Sequence, residues 1–124
     1  AVHRILLVDD HFLFLDGLEL LLKKTPHFKV VGKINDPLQA VDFLADNSVD
    51  MVLMDIQMPG INGIDLLKRI KSRHPRIKVV MISMHEEDDF VQEVMTLGGE
   101  GFLNKSVDSD KMMEELYRIS QGHK

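Results

Sequence analysis

The stretch "VLMDIQMPG", Val52–Gly60, combines an apolar run with the composition of a buried strand, one carboxylate and a turn. Asp55 ends the run, and Pro59 and Gly60 then interrupt regular structure. Burying a carboxylate is costly, so its place at the end of an apolar strand requires a compensating partner or a chemical role. The stretch therefore predicts the central strand of a buried sheet with a functional side chain at its carboxyl end.

Five short apolar runs, of which this is the third, have the length and the Val, Ile and Leu content of strands buried on both faces. They are Arg4–Val8, Lys29–Ile34, Asp50–Met54, Lys78–Ser83 and Gly101–Asn104. Segments with apolar residues at helical spacing follow each of them. This strict alternation predicts an α/β fold, a doubly wound (βα)5 three-layer sandwich around a parallel five-stranded sheet.

Local signals indicate where several helices begin and end. The predicted apolar stripes begin at Phe12 in the first helix and at Leu38 in the second. Asp36-Pro37 has the pattern of an N-cap followed by a first-turn proline, and Asp108 is a suitable cap for the last helix. Gly122 is expected to end that helix.

The composition is that of one globular domain. With 124 residues, of which 44% are apolar and 28% charged, the chain is long enough for a core of its own. It has no cysteine, which excludes disulfides and thiolate metal sites. No apolar run approaches the roughly 20 residues that cross a bilayer, and the first residues lack the layout of a signal peptide. We expect a cytoplasmic domain, complete within residues 1–124, that does not enter a membrane.

The charge argues against nucleic-acid binding by this domain itself. Its formal net charge is −5, and its lysines and arginines are scattered rather than clustered on one face. The densest basic segment, "KRIKSRHPRIK" (Lys68–Lys78), has helical spacing and is interpreted as the solvated face of a helix.

The residues that end the strands form a chemically coherent set: Asp9, Asp10, Asp55, Ser83 and, after the fifth strand, Lys105. Ligands of open α/β sheets bind at the carboxyl ends of the strands, so these side chains are expected to meet at one edge. Crowded carboxylates require a cation, and oxygen ligands with open water positions suit Mg²⁺. Together with Lys105 and a hydroxyl donor they would clamp a phosphoryl group, which Asp55 is best placed to carry as an acyl phosphate.

Most of these residues also have a structural explanation. The pair Asp9-Asp10 is suited to capping the first helix, Ser83 to capping the helix after the fourth strand, and Lys105 to solvent. His11 adjoins the acidic pair and is interpreted as the start of a helix; the alternative is that it contacts the waters of a metal bound there. Asp55 is the exception, because "DIQMPG" gives it no helix to cap.

Four segments resemble the receiver domain of two-component response regulators, the CheY-like family. They are "ILLVDDH", "VLMDIQMPGINGIDLL", "VVMIS" and "GFLNKS", and the resemblance spans essentially the whole chain. The stretch "SMHEEDDFVQEVMTLGGEGFLNKS" is most similar to receivers of the NarL/LuxR-type transcriptional regulators. The resemblance implies a single receiver domain over residues 1–124 with strand order 2-1-3-4-5, as in flavodoxin and CheY.

The resemblance also implies a role for each site residue. Asp55 would be the phosphoacceptor, and Mg²⁺ (or Mn²⁺) would be coordinated by Asp10, Asp55 and the backbone carbonyl of Gln57, with Asp9 acting through a water. Lys105 and Ser83 would contact the phosphate oxygens. The family's switch aromatic falls on Phe102, where tyrosine or histidine is common, and "LGGEG" (Leu97–Gly101) replaces the usual alanine-containing loop.

The implied partners are a sensor histidine kinase, which supplies the phosphoryl group, and a second copy in a phosphorylation-dependent homodimer. The chain would then be a signalling switch that catalyses its own phosphoryl transfer and slow dephosphorylation rather than an enzyme of metabolism. It would regulate transcription through a helix-turn-helix DNA-binding domain that follows in the native chain.

Three other functions are weighed against this one. A haloacid-dehalogenase-type phosphatase requires a second aspartate two residues after the nucleophile, where this chain has Gln57. A flavin or nucleotide module is disfavoured because the glycines of "GINGID" and "GGEGF" are loose and match neither "GxGxxG" nor a Walker "GKS". A degenerate receiver that only binds proteins is disfavoured because all five expected side chains are present.

Overall fold

The computed structural model describes residues 2–56, 62–84 and 88–122, with the backbone alone at residues 88–90. The strands are β1 (His3–Val8), β2 (Phe28–Ile34), β3 (Met51–Asp55), β4 (Lys78–Ser83) and β5 (Gly101–Asn104). The helices are α1 (Phe12–Lys23), α2 (Pro37–Asp46), α3 (Gly63–Arg73), α4 (Asp88–Thr96) and α5 (Ser109–Ser120). All neighbouring strands pair in parallel in the order β2-β1-β3-β4-β5, which confirms the predicted fold class.

The sheet separates two apolar cores because successive side chains of a strand point to opposite faces. In β1, Leu6 and Val8 pack with α2, α3 and α4, whereas Ile5 and Leu7 pack with α1 and α5. Every residue of β3 is buried, as the continuous apolar run predicted. None of the helices in the described ranges has the length and apolar character needed to cross a bilayer.

The helix ends predicted at Asp36, Asp108 and Gly122 are confirmed, whereas the N-cap of α1 is His11 rather than the Asp9-Asp10 pair. The Asp36 carboxylate accepts from the Leu38 amide at 3.0 Å, with Pro37 in the first turn of α2. The Asp108 carboxylate accepts from the Lys111 amide at 2.8 Å at the start of α5. Gly122 has φ of 93°, a left-handed conformation that ends α5 beyond its C-cap.

Two residues of the predicted apolar stripes lie outside the core. Phe12 is 62% exposed and Leu38 is 56% exposed. Phe12 is spaced like the buried residues of α1. It lies in the first turn of that helix, however, and this turn begins beyond the end of β1, outside the sheet that covers the rest of the face. In α2 the buried face is defined by Pro37, Ala40 and Leu44, and Leu38 points away from it.

The basic segment Lys68–Lys78 is only partly a solvated face. The Lys71 side chain is 16% exposed, and its ammonium donates to Glu100 Oε1 at 2.6 Å and to the Ile77 carbonyl at 2.9 Å. Glu100 Oε2 accepts from the Val79 amide at 2.6 Å. This pair connects the loop before β5, which lies in the "LGGEG" segment, to the last turn of α3 and the start of β4.

Candidate functional site

The parallel register brings four strand ends side by side. Val8 pairs with Met54, Asp55 with Ile82, and Ser83 with Asn104. The next residues in β1 and β5, Asp9 and Lys105, therefore lie at the same edge as Asp55 and Ser83. The backbone supports this arrangement, since the Lys105 amide donates to the Ser83 carbonyl at 2.8 Å and the Ile56 amide donates to the Ile82 carbonyl at 3.0 Å.

The site concentrates buried polar groups. Among the described residues, the buried polar or charged ones are Asp9, Asp55, Ser83 and Ser120, and the first three belong to this edge. Asp9 is 0% exposed and Asp55 is 2% exposed, whereas the side chain of Asp10 is 34% exposed. Two carboxylates out of water at one place are costly unless a cation compensates them.

Lys105 supplies part of that compensation. Its ammonium lies 2.7 Å from Asp9 Oδ2 and donates to Asp55 Oδ2 at 3.1 Å, and its side chain is only 3% exposed. The ammonium also lies over the Phe14 ring, 4.8 Å from the ring centroid. The structural explanation of Lys105 as a solvated lysine is therefore wrong.

One ammonium does not saturate three carboxylates. The Lys105 ammonium is close to Asp9 Oδ2 but is not aligned for a hydrogen bond, and the buried atoms Asp9 Oδ2 and Asp10 Oδ1 have no hydrogen-bond partner among the described residues. One ligand atom each from Asp9, Asp10, His11 and Asp55 lies within 4.8 Å of all the others. Several carboxylate oxygens and an imidazole nitrogen at this spacing fit a divalent cation, so the cluster could hold a metal.

The His11 side chain is part of the charged cluster, which its sequence position did not predict. It is the N-cap of α1, which confirms that it starts the helix, but its side chain makes no capping hydrogen bond. Its Nδ1 instead lies 3.0 Å from Asp9 Oδ1 and 2.7 Å from the Lys105 ammonium. The adjacency of His11 to the acidic pair was the available signal, but the direction of the ring depends on the tertiary structure.

The expected phosphate and switch residues lie at or near this edge. Ser83 is 2% exposed at the end of β4, whereas Phe102 is half-buried and packs on the core beneath α2, α3 and α4. The part of the chain that the structure describes excludes Gln57, so its expected carbonyl ligand stays a prediction.

Gly63 has a structural role that its sequence context, "GINGID", did not predict. Its amide donates to the Ile56 carbonyl at 3.0 Å, just after Asp55. A Cβ at this position would lie 2.7 Å from Ile56 Cα and 2.9 Å from the Asp55 carbonyl oxygen. Only glycine lets α3 begin this close to the end of β3, so Gly63 helps to position Asp55.

Known proteins resemble this chain in sequence and in structure. The transcriptional regulatory protein DegU of Brevibacillus brevis is 34% identical over 119 residues, covering 96% of this chain and 50% of the relative. The response regulator UvrY of Escherichia coli K12 is 32% identical over 120 residues, covering 97% of this chain and 55% of the relative. The chain thus spans about half the length of these curated relatives.

Solved structures agree with the sequence matches. The two-component response regulator of the LuxR family from Aurantimonas sp. SI85-9A1 superposes with a TM-score of 0.94 at 27% identity, covering 100% of this chain and 89% of that one. The sequence profile of the response regulator receiver domain matches residues 5–117. Response regulators are signalling proteins of two-component systems, and phosphorylation on aspartate is the typical function of the family. The chain therefore belongs to the response regulator receiver domain family.

Proposed function

We propose that this chain receives a phosphoryl group on Asp55 from a sensor histidine kinase, with a divalent cation held by the neighbouring carboxylates. The observation that carries the proposal is the pairing of Asp55 with Lys105 at 3.1 Å, at the buried end of the central strand and within the potential metal cluster. The Asp55 carboxylate thus has an ammonium partner, and it lies beside other side chains that could bind the same metal ion.

The chemistry assigns a role to each side chain. A carboxylate oxygen of Asp55 attacks phosphorus, the P–N bond to the kinase imidazole breaks, and its electron pair stays on that nitrogen. Lys105 neutralises charge on the phosphoryl oxygens, and the Ser83 hydroxyl donates a hydrogen bond to one of them. The cation, which we take to be Mg²⁺ or Mn²⁺ on Asp10, Asp55, the Gln57 carbonyl and, through water, Asp9, supplies further charge neutralisation when bound.

Phosphorylation would act as a switch through its charge. It adds about −1.5 to −2 charges and three acceptor oxygens at the end of β3. Lys105, now shared between Asp9 and Asp55, would turn toward the new oxygens, and Ser83 and Phe102 would follow. The changed surface around β5 would favour a homodimer. The dimer would regulate transcription in the cytoplasm through a helix-turn-helix domain elsewhere in the native chain.

Intact mass spectrometry tests the acceptor assignment. Incubation with acetyl phosphate and Mg²⁺ should add one phosphoryl group to the wild type and none to Asp55→Asn, because the amide cannot act as the nucleophile. The control is Asp46→Asn, which removes an exposed carboxylate of α2 and should be labelled like the wild type. Equal labelling of Asp55→Asn and the wild type would exclude Asp55 as the acceptor.

A further inference from the structure

The orientation of the His11 ring has no explanation in helix capping. As the N-cap of α1 its side chain could bond to the first amides of the helix, but it does not. The ring instead turns so that Nδ1 faces three carboxylates, although the side chain is 58% exposed to solvent.

The distances from this nitrogen are those of ligands around one ion. His11 Nδ1 lies 3.0 Å from Asp9 Oδ1, 3.6 Å from Asp10 Oδ1 and 3.6 Å from Asp55 Oδ2. A metal with bonds of about 2.1 Å holds adjacent octahedral ligands about 3.0 Å apart and tetrahedral ligands about 3.4 Å apart. His11 Nδ1 therefore lies close to ligand–ligand spacing from Asp10 Oδ1 and Asp55 Oδ2, the two carboxylates proposed to bind the cation directly.

The hydrogen bonding of Nδ1 favours a lone pair that points into the cluster. This nitrogen cannot both donate to Asp9 Oδ1 at 3.0 Å and accept from the Lys105 ammonium at 2.7 Å. An ammonium can only donate, so the shorter contact requires Nδ1 to be the acceptor. That is the tautomer in which imidazole binds metals. The other donors are Asp10 Oδ1, which is buried and has no hydrogen-bond partner among the described residues, and Asp55 Oδ2.

We propose that His11 Nδ1 is a direct ligand of the cation at this site, and that it shifts the metal preference of the receiver toward imidazole-binding ions such as Co²⁺ and Zn²⁺. Imidazole contributes little to Mg²⁺ binding, whereas it suits later divalent metals, which also bind more tightly along the first transition row. The inference rests on the metal site of the proposed function and adds a ligand that the carboxylates alone do not supply.

Titration calorimetry with Co²⁺ and with Mg²⁺ tests this on the wild type, His11→Ala and His11→Asn. Both variants should lose about tenfold or more in Co²⁺ affinity and change little in Mg²⁺ affinity, because asparagine offers a hard amide oxygen but no imidazole nitrogen. Asparagine is also a good N-cap, so His11→Asn should keep α1 intact. The matched control, His27→Ala, removes an exposed histidine that packs on Tyr117 and should bind both ions like the wild type.

A spectroscopic measurement separates direct ligation from an indirect effect. Proton NMR of the Co²⁺-loaded wild type should show one strongly shifted, exchangeable imidazole N–H signal that is absent from both His11 variants. Loss of Mg²⁺ and Co²⁺ affinity by equal factors, or no shifted imidazole signal, would overturn the inference while leaving the carboxylate site in place. Failure of both ions to bind the wild type would overturn the metal site itself, and with it this inference.

Discussion

At the scale of single residues, the site is a set of charges that oppose the stability of the fold. Asp9 and Asp55 are buried and share the ammonium of Lys105, while Asp10 adds a third carboxylate, whose buried Oδ1 has no hydrogen-bond partner in the described ranges. Carboxylates this close repel one another, and the low exposure of two of them limits screening by water. The same repulsion prepares the site to bind a cation.

Neutralising the most exposed of these carboxylates should therefore stabilise the protein. In the presence of a chelator, Asp10→Asn should raise the free energy of unfolding by about 0.5–1 kcal/mol, a value discounted because the Asp10 side chain is 34% exposed. Urea unfolding followed by circular dichroism measures the change. Asp42→Asn, an exposed carboxylate on α2, serves as the control and should stay within about 0.5 kcal/mol. A less stable Asp10→Asn would show that the acidic cluster is not under repulsion.

At the scale of elements, the connection from β3 to α3 determines how Asp55 is presented. Asn62 caps α3 by accepting from the Asp65 amide at 2.9 Å, and Gly63 brings the first turn against the backbone of Asp55 and Ile56. The loop before β5 is held differently, by the Lys71–Glu100 pair, whose side chains are 16% and 15% exposed. The loop before β5 is therefore fixed by a charged pair rather than by a helix cap.

Two glycine substitutions should have opposite effects on stability. Gly63→Ala would place Cβ 2.7 Å from Ile56 Cα and should destabilise the fold by about 2 kcal/mol or more, because backbone must move. Gly17→Ala lies within α1, where no atom of the described residues comes within 4 Å of the new Cβ, and should stabilise the fold by about 0.5–1 kcal/mol. Thermal and urea unfolding of both variants measure these changes. A neutral Gly63→Ala would mean that the close approach of α3 is not needed.

At the scale of the whole molecule, one site joins distant parts of the chain. The site residues come from four of the five strands: they directly follow β1 and β5 and are the last residues of β3 and β4. A ligand bound there therefore contacts four strands at one edge of the sheet. Because these residues meet only in the folded sheet, a cation that binds them binds the native state and not the unfolded chain.

Divalent cations should therefore stabilise the entire fold. At a concentration about 100 times the dissociation constant, Mg²⁺ should add about 2.7 kcal/mol to the free energy of unfolding of the wild type. The gain should largely disappear in Asp10→Asn, which loses a proposed ligand. The comparison requires differential scanning calorimetry at matched ionic strength with NaCl, because salt also screens the acidic cluster. An equal gain in the wild type and the variant would place the stabilising cation elsewhere.

The amino-acid sequence was enough to predict the architecture and to place several acidic side chains at one edge of the sheet. Apolar runs and helical stripes are local patterns, so they predicted the strands and the α/β class, and the caps at Asp36 and Asp108 followed from short-range chemistry. The carboxyl ends of parallel strands lie at one edge of a sheet, so the strand pattern alone predicts that the aspartates at the ends of β1 and β3 meet.

The tertiary structure alone decided features that depend on contacts between distant residues. The exposure of Phe12 and Leu38 depends on where each helix lies relative to the sheet, which helical periodicity does not specify. The Lys71–Glu100 pair joins residues 29 positions apart, and the turn of the His11 ring toward the cluster requires Asp55 and Lys105 to be in place. Local sequence encodes which face a residue can take, but burial and charge pairing are set by the neighbours that the folded chain brings to it.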